Sequence, residues 1–476
     1  MVVAYNVENL VDADGVTQFE DYQPAKYSRA HCLTKLQNIS KVVAQFEDGR
    51  GPDVILFEEI ETDFTPAKTP PDYDAILKRY AGLTIEEMLG PKFNPEIADL
   101  PAEALLVKAF VDRGLTGYHV ISAENIKTAE STHPLAQKCV VFTRFPVKQV
   151  RSHPTLDARA ILEVQVEVDG APLYLFANHW KSGAGDPETE KIRVANAKTL
   201  RTRLDEILRA DPNADIVLGG DFNSQYNQKQ RYPKMKVTGI NDILGSQGNE
   251  LAIRGAARDL YNLWYELPPA QRGSDTFKEE WGTLMQIIVS RGLYDFRGVQ
   301  YVDGSFGVAK FPDLNMEPDG TPRRWSFDGP AGSGFSDHFP VFAKFITVPD
   351  GRTDRYLSLR NASVDRGGPP PDTKIDYAKL DLEKTAVTAA QVPAGAGIRS
   401  PAYLGKIFRV EGRVGRGSRL VVDYLGDTYD VWSFDEALRT KLRAANKAGA
   451  MLRFYGELSQ YKDRWQFIIR DASWVK

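Results

Sequence analysis

The chain has 476 residues, 42% of them hydrophobic and 26% charged, with only two cysteines. That is too long for one ordinary domain, and the composition excludes a disordered, collagen-like or disulfide-stapled chain. A net charge of −4 excludes a wholly basic polyanion binder, and no apolar run approaches the length that spans a bilayer, so membrane insertion is not expected.

The first element is an apolar strand, Val2 to Val7, which runs into Glu8-Asn9-Leu10. No secretory leader precedes it, as in a cytoplasmic protein or a chain whose leader has been trimmed. Leu36, Ile39, Val42, Val43 and Phe46 recur at helical spacing and predict an amphipathic helix packed on a sheet. A second buried strand, Asp53 to Phe57, delivers Glu58, Glu59 and Glu61 at its end. Residues 62–117 read as an elaboration with two helices, Tyr73–Ala81 and Ala102–Arg113. Strands follow at Gly117–Ser122 and Lys138–Thr143. Ala160–Val168 and Pro172–Ala177 then form a hairpin about Asp169-Gly170, and the second of these ends in Asn178-His179-Trp180-Lys181-Ser182.

Asp186-Pro187-Glu188 is a good helix start, with an N-cap, a proline in the first turn and acid near the positive end of the dipole. That helix returns the chain to Asp215-Ile-Val-Leu-Gly-Gly-Asp221-Phe-Asn223, a buried strand whose two glycines precede a carboxylate and an amide. Further strands are expected at Met285–Ser290 and Val341–Phe345, with Ser336-Asp337-His338 just before the last. Cys32 and Cys139 have no metal-ligand spacing and read as core thiols; His31, His133 and His153 lie outside any motif and read as surface or loop residues.

From Pro349 to about Ala402 the proline- and glycine-rich composition reads as linker. Three strands, a helix and two strands then follow, the element order of an OB-fold, a small barrel that often binds single-stranded nucleic acid or sugars. The domains read as 1–348, a linker 349–402, and an all-β, OB-like barrel 403–476. Residues 401–476 carry 14 Lys+Arg against 9 Asp+Glu, a surplus of five. Arg409, Arg413, Arg416 and Arg419 cluster near the first turn of the barrel and are the candidate phosphate-tracking residues.

Each buried strand of the first domain thus ends in polar residues: Asn6/Glu8, Glu59, Asn178/His179, Asp221/Asn223 and Asp337/His338. Acids, amides and histidines without thiolates make a hard, oxygen-rich site suited to Mg²⁺ or Mn²⁺, with Ca²⁺ a further candidate. Such a site fits phosphoryl chemistry.

Taken in order, Asn-Val-Glu-Asn-Leu, Pro-Asp-Val-Ile-Leu-Phe-Glu-Glu, Asn-His-Trp-Lys-Ser, Gly-Gly-Asp-Phe-Asn-Ser and Ser-Asp-His-Phe-Pro-Val resemble the motifs of the endonuclease/exonuclease/phosphatase superfamily, its bacterial nuclease branch in particular. The resemblance covers about residues 1–347. It implies a four-layer α/β sandwich, two stacked mixed sheets flanked by helices. It also implies a metal-dependent phosphodiesterase that cuts nucleic acid, DNA before RNA. Carried over by position, Glu59 is the principal metal ligand, with Asn6 and Asp337 holding the metal or its waters and Glu8 a further candidate contact. Asp221 orients or deprotonates the attacking water, Asn223 and His179 bind the scissile phosphate, and His338 is general base or transition-state cation. By analogy with the bacterial branch, a secreted or periplasmic place is slightly favoured if a leader was trimmed.

Two departures stand out. The superfamily usually has an Asp that hydrogen-bonds the catalytic His where this chain has Met285; Asp295 or Asp242 are the candidates to replace it. Glu58 stands where Gln is common, and reads as an exposed acid at a strand end. The residues leave two other functions open: hydrolysis of a phospholipid, inositol phosphate or other small phosphoester, and a degenerate, non-catalytic nucleic-acid-binding protein.

Overall fold

The computed structural model describes residues 1–65, 71–132, 135–250, 258–348, 370–393, 395–400, 403–415, 419–445 and 447–476. These form two compact units, Met1–Phe311 with Pro322–Thr373, and Pro312–Thr321 with Lys374–Lys476.

The first unit is built on two stacked sheets. One runs, in spatial order, Gly307–Val308, Val341–Ala343, Val2–Leu10, Val54–Glu61, Gln137–Thr143, His119–Ser122. The other runs Val147–Thr155, Ala158–Val168, Ala171–His179, Ile216–Asp221, Met285–Val289, Leu260–Asn262, Ser246–Gln247. Both mix parallel and antiparallel pairs. The central strands are apolar on both faces because each is covered twice. Between the sheets, Val2, Ala4, Val54, Leu56 and Val141 meet Leu162, Val164, Leu175, Val217 and Ile287 in one buried core. The sheets approach closely at Gly219, where a Cβ would lie 2.5 Å from Leu56 Cδ1.

Helices form the outer layers. On the first sheet, Phe110 of helix Ala102–Asp112 packs edge-on against Phe57 and Phe142, with ring centroids 6.2 and 5.4 Å away. On the second, Leu200, Leu204 and Ile207 of helix Pro187–Ala210 join Phe176, Ile216 and Leu218 in a separate buried cluster. Asp186 caps that helix by accepting from Glu188 N. The unit is thus a four-layer α/β sandwich.

Among the described residues, the elaboration after the second strand holds four helices rather than two: Tyr73–Arg79, Ile85–Leu89, Pro95–Ala98 and Ala102–Asp112. The two extra ones are only five and four residues long, started by the caps Thr84 and Asn94, and too short to show a hydrophobic period. Strand Val147–Thr155 also escaped the sequence reading. As an edge strand with a single buried residue, it lacks the apolar run that marks a buried one. Nor are all the unassigned histidines at the surface. His31 is buried near the start of helix Arg29–Val43, where it completes a capping box with Ser28. His153 is half-buried and pairs with Glu163 at 2.7 Å, while His133 lies outside the described residues.

The second unit is a closed five-stranded barrel, in spatial order Ile407–Val414, Val421–Tyr424, Asp427–Trp432, Arg464–Ile468, Met451–Tyr461, with helix Glu436–Ala445 between its third and fourth strands in sequence. Phe467 is central to its core, with the rings of Phe408, Tyr424, Tyr429 and Phe454 around it at 4.8–6.0 Å. Of the stretch read as linker, 349–369 lies outside the described residues. Further on, Ala386, Val392 and Ile398 are buried in the barrel core, so this part packs rather than merely connects.

Candidate active site

The strand ends of the first unit converge on one cleft of about 770 Å³, walled among others by Glu59, His179, Asp221, Asn223, Asp337 and His338. Strand pairing sets their order. Ala171–His179 and Ile216–Asp221 run parallel with His179 beside Asp221, and Met285 faces Asp221 from the other side. Across the stack, Val2–Leu10 pairs with Val54–Glu61, with Asn6 opposite Glu58. The loop carrying Asp337 and His338 is pinned to the first strand: Ser336 Oγ donates to Asn6 O at 2.7 Å and accepts from His338 N at 3.1 Å.

Four non-glycine residues here have positive φ: Glu8 (50°), Asn9 (62°), Glu59 (63°) and Asn223 (47°). Each is a costly backbone state for an L-residue. The pairing of the first two strands skips register between Asn6/Glu58 and Leu10/Ile60, and this bulge turns Glu59 into the cleft.

Asn6, fully buried, donates through Nδ2 to Glu59 Oε1 and to Asp221 Oδ2, both at 3.1 Å, and accepts from Glu8 N at 3.0 Å. Its amide therefore clamps two carboxylates, with its oxygen engaged by the backbone. Glu59 is further held by Asn9 N at 3.1 Å. Asp221 Oδ1 accepts from Asn223 N at 2.8 Å, and Asn223 Nδ2 donates to Trp180 O at 3.1 Å.

The two histidines flank Asp221, each with Nε2 3.7 Å from Oδ2. Their states differ. Burial, then the charges of Arg159 and His338, pushes His179 well below the usual imidazole range. Burial also opposes charge on His338, but the carboxylates of Asp337, Asp221, Asp275 and Glu59 outweigh it and push it up to about 9. The surroundings thus favour the neutral form of one ring and the imidazolium form of the other at neutral pH.

No three Asp, Glu, His or Cys side chains among the described residues are already arranged around a metal position. The donor set nonetheless fits a hard divalent cation. Glu8 is pushed up to about 6 by burial and by the negative charge of Asp337, and Glu59 is raised for the same two reasons. Arg324 Nη2 lies 3.4 Å from both Glu8 Oε1 and Asp337 Oδ2, so a cation already bridges them. Lys35, fully buried beneath, donates to Phe335 O at 2.7 Å; desolvation lowers it to about 8 against the pull of Glu8, Asp337 and Glu59.

Motif reading missed several residues. Arg159 lines the cleft, hydrogen-bonds Gln137, and its charge acts on Glu59 and Asp221. Arg324 and Lys35 lie outside the motif stretches, so nothing local marked them. An acid near His338 that no motif marks is Asp275, whose charge adds to those of Asp337 and Asp221 on the ring. It begins the hairpin Asp275–Phe277/Glu280–Gly282, pairs with His338 as an isolated antiparallel bridge, and is 6% exposed. Its Oδ1 accepts from Ser274 Oγ at 2.9 Å and Leu284 N at 3.1 Å. Gly282 makes room for it, since a Cβ there would lie 2.0 Å from Asp275 Oδ2. Met285 itself is buried in the core between the sheets.

The candidates Asp295 and Asp242 are engaged elsewhere. Asp295 accepts from Arg297 N at 2.9 Å, and Asp242 accepts from Thr238 N at 2.8 Å. Glu58 is not exposed. It is fully buried with neither carboxylate oxygen partnered, and desolvation, then the charges of Asp221 and Glu59, raises it far above the usual range.

On the barrel, Arg409 pairs with Glu383 at 3.4 Å and Arg413 reaches Gly449 O at 3.5 Å, both on the outer face of strand Ile407–Val414. Arg419 pairs with Asp430 at 3.2 Å, and Arg416 lies outside the described residues.

Stacked sheets with acids, amides and histidines at their strand ends make the first unit an α/β sandwich with a polar cleft at one edge. Residues 136–347 match the model of the endonuclease/exonuclease/phosphatase family. None of the curated proteins matches the sequence. Similar solved structures include an endonuclease/exonuclease/phosphatase family protein from Leptotrichia buccalis C-1013-b. It is 14% identical, with 72% of this chain and 98% of that one covered and a TM-score of 0.41. TDP2 of D. rerio, complexed with single strand DNA product, is 13% identical, with 73% and 98% covered and a TM-score of 0.37. A family protein from Bacteroides thetaiotaomicron is 14% identical, with 73% and 97% covered and a TM-score of 0.38.

Proposed function

We propose that the first unit hydrolyses phosphodiester bonds of nucleic acid with the help of a divalent cation, Mg²⁺ or Mn²⁺. The observation that carries this reading is the pair of histidines in opposite charge states on either side of one clamped carboxylate, Asp221.

Glu59, Asp337 and Glu8 would hold the cation, with Asn6 fixing the carboxylate of Glu59. When bound, the cation supplies charge neutralisation at a phosphate oxygen. The remaining chemistry belongs to the chain. Asp221, oriented by Asn6 Nδ2 and Asn223 N, accepts a proton from the attacking water. The water oxygen bonds to phosphorus as the bond to the leaving oxygen breaks; that oxygen leaves with the bonding electron pair and takes a proton from solvent to become a hydroxyl. His338, already an imidazolium, donates to the phosphoryl oxygen that gains charge. His179, neutral, and Asn223 grip the other oxygens. Arg159 and Arg324 at the cleft add the positive field that draws a polyanion in.

The test is nicking of supercoiled plasmid with Mg²⁺ or Mn²⁺, with EDTA and His338→Ala as controls. Metal-dependent nicking lost in the variant is the expected result. Nicking that persists in EDTA, or in a chain lacking both Asp221 and His338, overturns the reading.

A further inference from the structure

The barrel carries a surface that the hydrolytic chemistry leaves unused. Among the described residues the large aromatic side chains left exposed are Phe277, Trp432, Phe434 and Tyr461. The last three line a single groove of about 440 Å³. The barrel topology brings them together. Trp432 ends strand Asp427–Trp432 and Phe434 follows it, while Tyr461 ends Met451–Tyr461, whose partner Arg464–Ile468 lies parallel to the Trp432 strand.

The same groove is walled by Arg419, Arg443 and Arg464. Its one acid, Asp430, is held between two of them, 3.2 Å from Arg419 and 3.5 Å from Arg464, which sets both guanidinium groups at the rim. Arg439 lies 4.6 Å over the Trp432 ring and donates to Ser433 O at 2.6 Å, so the indole is held in place. A barrel that buries Phe408, Phe454 and Phe467 yet leaves three aromatics outside on one wall presents a patch that a partner covers.

That partner must offer flat apolar faces and anions together. We propose that this groove binds a single strand of nucleic acid, its bases stacking on Trp432, Phe434 and Tyr461 and its phosphates meeting Arg419, Arg443 and Arg464. Base–aromatic stacking combined with a cationic groove is the physics of strand binding without sequence preference. A duplex keeps its base faces hidden, and an acidic peptide brings charge without a row of flat rings. The outer face of Arg409 and Arg413 is a poorer candidate, because strand Ile407–Val414 exposes no aromatic ring on which a base could stack.

The test is fluorescence anisotropy of labelled oligo-dT and oligo-rU on the full chain in EDTA, which separates binding from cleavage. At least one single strand is expected to bind, and a blunt duplex of equal length at least about tenfold more weakly. Tyr461→Ala and Trp432→Ala should each weaken single-strand binding about tenfold. Arg443→Ala should flatten the dependence of log affinity on log salt by about 0.7. Arg409→Ala should bind as the parent does. Circular dichroism identifies any variant that fails to fold; Tyr461, at a strand tip, then carries the test with Arg443. No single-strand binding at low salt, equal binding of the duplex, or unchanged affinity in both Tyr461→Ala and Arg443→Ala overturns the proposal. The difference between the dT and rU arms assigns the sugar. Because the assay runs without hydrolysis, its failure leaves plasmid nicking standing, and the converse holds.

Discussion

Asp275 and His338 face one another across an isolated antiparallel bridge, and the carboxylate of the first helps hold the ring of the second in its charged form. Met285, which flanks Asp221 on the neighbouring strand, carries no charge; the negative charge around His338 comes first from Asp337 and Asp221, and Asp275, on a hairpin that begins ten residues before Met285, adds to it. If Asp275 supports the imidazolium, Asp275→Asn lowers the turnover of nicking by about a hundredfold while leaving substrate binding nearly unchanged. Adding Met285→Asp to that variant should restore part of the rate. Full activity in Asp275→Asn would make the bridge a structural feature only.

Glu58 predicts a pH-dependent stability. Its folded-state pKa is raised well above the ordinary carboxylate range by burial, so between the unfolded and folded values the folded chain holds a proton that the unfolded chain has lost. Stability from this group is therefore full below the ordinary carboxylate pKa and falls as pH rises through the folded value, by up to about 1.4 kcal/mol per pH unit. Glu58→Gln removes that slope. Thermal unfolding in EDTA should show the variant gaining more over the parent at pH 8 than at pH 5; an equal gain at both would mean that Glu58 is ionised in the fold.

Glu59 is the test of the cation site by a route other than activity. Mg²⁺ or Mn²⁺ in millimolar excess should raise the melting temperature of the parent chain by a few degrees, since a ligand of the folded state alone stabilises it by mass action. EDTA should reverse the gain, and Glu59→Ala should abolish it. A shift of the same size in Glu59→Ala would place the ion elsewhere.

Arg193 anchors one wall of the cleft. It is fully buried, pairs with Glu190 at 2.7 Å and donates to Lys181 O at 3.0 Å and Ala184 O at 3.3 Å, tying the loop after His179 to the long helix. Arg193→Ala leaves Glu190 uncompensated and should cost about 3–5 kcal/mol in denaturant unfolding. Loss below about 1 kcal/mol would mean that the loop is held by other contacts.

The parts of this molecule legible from residues alone are those where an apolar run ends in polar groups. Val54 to Phe57 followed by Glu59, and Ile216 to Leu218 followed by Asp221, announce both a strand and what it delivers. Residues that reach the site from short or irregular segments, or from the body of a strand, carry no such signature. Asp275 sits on a three-residue strand, Arg324 on a loop, and Arg159 within a strand whose period speaks only of packing. Glu58 was misread because alternation along a strand says which residues share a face, and not that both faces are covered. The barrel shows the same limit in reverse. Its element order could be read, but which of Trp432, Tyr429 and Phe467 faces outward depends on closure of the sheet, which links residues far apart in sequence.

The left-handed residues Glu8, Asn9, Glu59 and Asn223 have a consequence for how this protein can change. Each holds the chain in a conformation that glycine would adopt with less strain, at a cost of order 1–3 kcal/mol per position. A selection for heat resistance alone would find its easiest gains at these places, and every gain there would remove a side chain that the cleft uses. Thermostable descendants that keep their chemistry must find their stability elsewhere, in the helices of the elaboration or the outer strands.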